Sequence, residues 1–115
     1  MQFGIPWEQI EAMLIQFSLH PNVEEVLIFG SRSKGTYHSG SDIDLALVGD
    51  HLKLDEIFQI KIELEALAFP LGYDLFLYNK ISDREIVEQI KMEGKLFYKQ
   101  MKIITPQIKK GKSLK

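Results

Sequence analysis

With 115 residues and no cysteine, the chain has room for one compact domain and no second core, and disulfides, zinc–thiolate sites and thiol nucleophiles are excluded together. Its composition is that of an ordinary soluble protein, no apolar run approaches the roughly 20 residues that cross a bilayer, and the N-terminus has no basic segment leading into an apolar one, so a cytoplasmic location is expected. The net charge of −2 conceals an asymmetry, because Lys99, Lys102, Lys109, Lys110, Lys112 and Lys115 stand without an acid in the last segment and leave residues 1–98 with eight basic against sixteen acidic side chains, a net −8. That acidic body is a poor match for a broad nucleic-acid surface. We expect one domain over residues 1–98 and a basic tail over residues 99–115, interrupted by Pro106 and Gly111, that is flexible or docked on a partner.

Pro6, followed by Ile10, Leu14 and Phe17 at helical spacing, predicts a first helix that ends near His20-Pro21-Asn22. Val23 to Phe29 reads as a strand whose apolar run Leu27-Ile28-Phe29 stops abruptly at Gly30-Ser31, as a buried strand does when it leads into a phosphate-sized turn. Ser31 to Gly35 has the length of a short helix with its first amides facing that turn, where anions are favoured. Ser41 to Val48 reads as a second strand. Asp55 to Ala68 reads as an amphipathic helix with Ile57, Phe58, Leu64 and Leu67 along its inner stripe, stopped by Pro70 and Gly72. Tyr73 to Tyr78 is a third strand. Asp83 is expected to cap a helix that turns Ile86, Val87 and Ile90 inward and ends at Gly94, before a short last strand over Lys95 to Tyr98. His20 and His51 flank predicted helices as solvated boundary residues. His38 lies in the loop between the Gly-Ser turn and Asp42, an exposed position that could touch a ligand.

The acids carry the chemistry. Side chains alternate along a strand, so Asp42 and Asp44 share a face with Cα atoms roughly 6.5 Å apart. A Gly-Ser turn is ordinary, and Asp-x-Asp is usually a solvated loop or a cap. Asp44, however, heads the apolar run Leu45-Ala46-Leu47-Val48, where a charge without a partner is costly. Two such carboxylates invite a dication, and with the Gly-Ser turn they have the shape of a site for Mg²⁺ and a nucleotide. Asp74 stands in the otherwise apolar YDLFLY run. If that strand pairs beside the second, the three acids form one cluster whose repulsion raises their proton affinity unless cations sit among them. The alternative is a surface acid on an edge strand.

Gly30-Ser31, ten intervening residues, Asp42-Ile43-Asp44 and the later Asp74 strand together resemble the minimal nucleotidyltransferases, small members of the DNA polymerase β-like superfamily, over roughly Val23 to Tyr98. The closing pattern Ile86, Ile90, Gly94-Lys95-Leu96-Phe97-Tyr98 is similar to the end of that domain. The resemblance implies an α/β (α+β) fold, a small mixed sheet with helices packed against it and a site at the strand ends. On matching positions it implies that Gly30 and Ser31 hold the triphosphate of ATP, with Arg32 and Gly35 in the same nucleotide-binding loop. It also implies that Asp42 and Asp44 bind Mg²⁺, two ions in all, while Asp74 completes the metal site and helps to activate the acceptor hydroxyl. Arg32 could pair with a phosphate or stand exposed in the turn without contact.

Nucleotidyl transfer fits these residues, since in-line attack on the α-phosphorus is helped by two metals that stabilise the attacking and leaving oxygens. Mg²⁺ takes few carboxylates together with phosphate oxygens and water. Many minimal nucleotidyltransferases are antitoxins of HEPN-domain ribonuclease toxins, so the resemblance implies transfer of AMP from ATP to a tyrosine of such a partner. The chain departs from many relatives at Leu75-Phe76-Leu77, where they carry a second acid. Two other readings are a non-catalytic module that neutralises a partner by contact alone, and a nucleotidyltransferase acting on a small molecule, which would be expected to carry a further helical domain.

Overall fold

The computed structural model describes residues 1–101, so the expected basic tail beyond Met101 lies outside the described residues. The elements follow in the order α1 (Trp7–Ser18), β1 (Glu25–Phe29), α2 (Gly30–Lys34), β2 (Ile43–Val48), α3 (Leu54–Ala66), β3 (Tyr73–Leu77), a 3₁₀ turn (Tyr78–Lys80), α4 (Arg84–Glu93) and β4 (Lys95–Lys99). The four strands make one sheet in the order β3-β2-β1-β4. β1 pairs antiparallel with both β2 and β4, whereas β2 and β3 are parallel, which makes the sheet mixed. Parallel neighbours cannot be joined by a tight turn, and α3 supplies the crossover between them.

Alternation along the strands divides the sheet into two unequal faces. Val26, Ile28, Ile43, Leu45, Leu47, Tyr73 and Leu77 form a buried cluster with Ile10, Met13 and Phe17 of α1 and with Ile57, Ile60 and Leu64 of α3. The opposite face is thinner. There Phe29, Ala46 and Ile90 are buried, with Leu27, Phe76, Tyr78, Ile81 and Ile86 packed around them. The candidate site residues Asp44 and Asp74 lie on this second face, beside α2 and α4.

The predicted elements are present with shifted ends. β1 begins at Glu25 rather than at Val23, and β2 at Ile43 rather than at Ser41. Asp83 caps α4 as expected, its Oδ1 accepting a hydrogen bond from the Glu85 amide at 2.9 Å. The inner stripe of α3 is Ile57, Ile60 and Leu64; Phe58, expected inside, is 61% exposed, and Leu67 also faces out. The apolar residues of this helix exceed one stripe, so periodicity offered two faces and packing took one.

His20 also corrects an expectation. It is no solvated boundary residue, because its Nδ1 lies 2.8 Å from Glu56 Oε2 and its Nε2 2.6 Å from Glu63 Oε1, which ties the end of α1 to α3. Gln16 and Gln59 donate to the same Glu63 carboxylate. Burial pulls the imidazole pKa down, but the hydrogen bonds and charges of Glu63 and Glu56 outweigh it and raise the pKa above the ordinary 6.5. A raised folded-state pKa means that the tie contributes fully below the unfolded value and is lost as the pH rises through the folded one. His20→Ala is therefore expected to cost on the order of 1 kcal/mol at about pH 5.5 and clearly less at about pH 9, as read from urea unfolding midpoints. An equal loss at both values would show that the imidazolium does not hold the two helices.

Candidate active site

β1 delivers the chain to the site at Phe29, which the antiparallel register sets opposite Asp44. The next residue, Gly30, has φ +75°, a left-handed conformation that side chains rarely adopt, and a Cβ on it would collide with Asp44 Oδ2. Glycine is thus required both by the turn and by the approach of the backbone to the carboxylate. Ser31 follows, half-buried, at the start of α2. Gly35 ends that helix at φ +80° in open space, with the Thr36 amide donating to Ser31 O at 2.9 Å. Its glycine serves the turn alone.

Two clamps fix α2. The Ser33 hydroxyl donates to the Glu93 carbonyl, Lys95 Nζ donates to Ser33 O at 2.8 Å, and Lys34 pairs with Glu93 at 3.5 Å, so one side of the helix is bound to the α4–β4 junction. Arg32 holds the other side. Sequence reasoning allowed it to stand exposed in the turn, but it is buried at 2% exposure. Its Nε donates to Ser41 O at 3.0 Å, and Nη1 donates to Phe3 O and Gly4 O at 3.0 and 3.1 Å. The Tyr37 ring stacks 4.8 Å from the guanidinium. Arg32 therefore joins the N-terminal segment to the loop that carries Asp42. Burial pulls its pKa below the ordinary value, against the opposing pull of Tyr37, Asp42 and Asp44.

The parallel register sets Asp74 directly beside Asp44, on the α2 and α4 side of the sheet, where Ala46 and Phe76 also point. Asp42 is exposed just before β2, at a point pinned by the Ile43 amide, which donates to Gly72 O at 2.9 Å. Gly72 gives the Asp42 carboxylate its space, since a Cβ there would stand 2.9 Å from Asp42 Oδ1. The Asp44 carboxyl is pushed up to about 6 from an ordinary 3.8, first by burial and then by the charges of Asp74 and Asp42, with Arg32 opposing. Three carboxylates thus share one electrostatic neighbourhood. Among the described residues no group of three or more acids, histidines or cysteines is already drawn into a metal-holding cluster. Such an arrangement suits a dication that brings phosphate oxygens and waters as the rest of its shell, and does not suit an ion caged by protein alone.

His38 stays outside the cluster. Its amide donates to Ser41 Oγ and its Nδ1 accepts from the Gly40 amide, so it shapes the exposed loop before Asp42. Sequence reasoning missed Ser33, Glu93, Lys95 and Gly72. The first three act through tertiary contacts that carry no motif, whereas Gly72 was noticed only as a helix stop.

The raised Asp44 pKa has a stability consequence. The fold favours the protonated carboxyl, so ionisation on raising the pH from about 4 through 6 weakens the ligand-free protein relative to its unfolded chain. Asp44→Asn is expected to raise the melting temperature of that protein at about pH 8 and to give no gain at about pH 4, as measured by thermal unfolding in a chelating buffer. A lower melting temperature at pH 8 would contradict the assignment of Asp44 as a destabilised charge. Gly30→Ala is expected to cost more than about 1 kcal/mol through its left-handed φ alone, measured by denaturant unfolding.

Comparison with known proteins points the same way. The family model described as polymerase beta nucleotidyltransferase matches residues 8–103. Among solved structures, one of a toxin–antitoxin pair with AMP-PNP superposes with a TM-score of 0.64 at 24% identity, over 84% of this chain and 76% of that one. A mutant MntA toxin–antitoxin complex superposes with a TM-score of 0.60 at 26% identity, over 80% of this chain and 71% of the other. A complex of a tri-AMPylated Shewanella oneidensis HEPN toxin with its MNT antitoxin superposes with a TM-score of 0.60 at 19% identity, over 82% and 72% of the two chains. No curated protein matches. A glycine turn against an acid on the neighbouring strand, a second acid in register on the next and the extent of the family match lead to one conclusion: the chain belongs to the polymerase beta nucleotidyltransferase family.

Proposed function

We propose that this protein is a Mg²⁺-dependent adenylyltransferase that moves AMP from ATP to a hydroxyl of a protein partner, a tyrosine of a HEPN-type toxin, and thereby acts as its antitoxin. The observation that carries the reading is the pairing of Asp44 with Asp74 across parallel strands beside the Gly30 turn, with Asp44 pushed up to about 6 by burial and by the other two acids. Surplus negative charge in one place is what a dication and its bound triphosphate would neutralise. The likeness to an AMP-PNP complex and to a tri-AMPylated toxin complex supports the choice of nucleotide and acceptor.

In this reading Asp42, Asp44 and Asp74 hold the metal, which when bound supplies charge stabilisation to the triphosphate. Gly30 and Ser31 seat the phosphates in the loop closed by Gly35, since the bare backbone at Gly30 lets the Asp44 carboxylate lie directly against that loop. Arg32 adds positive charge beside the loop from its buried position. The acceptor oxygen forms a bond to the α-phosphorus as the bond to the pyrophosphate oxygen breaks, and Asp74, exposed at the rim, takes the hydroxyl proton. The second carboxylate that many relatives carry on this strand is replaced here by an apolar side chain, which leaves Asp74 as the acid of β3.

The test is incubation with lysate of the native host, Mg²⁺ and ATP labelled on either the α- or the γ-phosphate, beside an Asp42→Asn/Asp44→Asn double variant. The expected result is one labelled protein that takes up the α- but not the γ-label, takes up neither when the metal is chelated from the start and receives none from the variant. A partner retained by both proteins without any label would instead establish neutralisation by contact.

A further inference from the structure

We infer that the acceptor is presented as an extended strand added to the free edge of β3, so that the substrate class is a protein segment in β-conformation and not a helix or a small molecule. This inference rests on the adenylyltransferase reading and deepens it.

β3 is an edge of the sheet, paired only with β2 among the described residues. In a parallel ladder, alternate residues direct both their N–H and C=O groups to each neighbour. The Ile43 amide bonds to Gly72 O, which sets the phase: the main-chain groups of Asp74 face β2, and those of Tyr73, Leu75 and Leu77 face outward. Among the described residues no hydrogen bond reaches the outward groups of Tyr73 and Leu75 or the Leu77 amide, while the Leu77 carbonyl opens the 3₁₀ turn. A groove runs along Leu75 and Leu77, with Leu54 at its α3 side, Ile81 and Ile86 at its α4 side and Lys80 and Asp83 beyond the strand's end, and with Leu75, Phe76 and Leu77 as its floor. Because Leu75 and Leu77 belong to one sheet face and Phe76 to the other, the groove straddles the edge, as a seat for a fifth strand must.

The opposite edge differs. β4 begins at Lys95 and ends at Lys99, and its pairing with β1 is broken by a bulge, both devices that discourage added strands. β3 carries no lysine, proline or bulge, and its only charge is Asp74. An edge left unguarded next to the acids is suited to pairing. A residue set opposite Asp74 on an added strand would have its Cβ about 5 Å from that of Asp74 and on the same face, over the acid cluster. That is where an acceptor hydroxyl has to be. The residue two positions further along would stand over Phe76 and between Ile81 and Ile86, so an apolar side chain is expected there.

Main-chain pairing tolerates many sequences, so a synthetic peptide of alternating valine and threonine with one central tyrosine serves as the probe. Binding at millimolar concentration is followed by NMR on the Asp42→Asn/Asp44→Asn protein, which separates recognition from chemistry. The expected result is slowed hydrogen exchange at the Leu75 and Leu77 amides, with the Asp74 and Phe76 amides protected throughout. N-methylation of alternate peptide residues should abolish binding in one phase and spare it in the other. Leu54→Glu, which places a carboxylate in the first turn of α3 where the fold tolerates it, should weaken the peptide about tenfold while leaving ATP binding unchanged. Failure of the peptide to bind, binding without a change at the edge amides, or indifference to the phase of N-methylation would each overturn the inference. Edge binding without transfer by the parent protein would tell against the reaction instead.

Discussion

The backbone of Gly30 lies so close to the carboxylate of Asp44 that no side chain fits between them, and much of the surrounding architecture follows from that approach. It requires the left-handed turn at Gly30, and with it the abrupt passage from β1 into α2. It brings a half-buried acid against peptide groups while Asp74 stands beside it in register and Asp42 lies just before it. Among the described residues no ion pair neutralises this charge. Arg32 is the nearby cation, yet its hydrogen bonds go to the carbonyls of Phe3, Gly4 and Ser41, and it has no carboxylate at ion-pair distance among the described residues. The molecule thus holds its acids in mutual repulsion, a state that a bound cation would relieve at the expense of the empty fold's stability.

That expense is carried by the other face of the sheet. α1 and α3 cover it with a continuous buried cluster, and His20 with Glu56 and Glu63 fastens the two helices to each other. The buried Gln9 amide donates to Leu71 O and to the Tyr73 hydroxyl, which fixes the segment that enters β3 and therefore the start of the strand that bears Asp74. One face supplies stability and the other exposes chemistry. Clamping α2 from both sides, by Arg32 and by the Ser33–Lys95–Glu93 contacts, lets a five-residue helix behave as part of the scaffold.

What could be read in advance and what could not divides by the range of the interaction. Gly30-Ser31 and Asp42-Ile43-Asp44 were legible because their meaning is local: an apolar run broken by glycine, and a two-residue alternation that places two acids on one face. Asp74 was legible as an oddity, a charge in an apolar strand, but its neighbour was conditional on strand order. Phe58 was misplaced because α3 has apolar residues on two faces, and nothing local says which one meets the sheet. His20 was misread because its partners, Glu56 and Glu63, lie on another helix.

By itself, then, the sequence determined the elements, the glycine turn and the identity of the acids, since each depends on backbone sterics or on side-chain alternation within a few residues. Only the tertiary structure decided that β3 lies parallel beside β2, which sets Asp74 against Asp44, raises the carboxyl of Asp44 and leaves an open edge beside the site. It likewise buried Arg32 under the N-terminal segment and turned a loop arginine into a brace. The physical reason is the same in both cases. Charge placement and strand pairing depend on groups far apart along the chain, which the packing of α1 and α3 on one face of the sheet brings to their final distances.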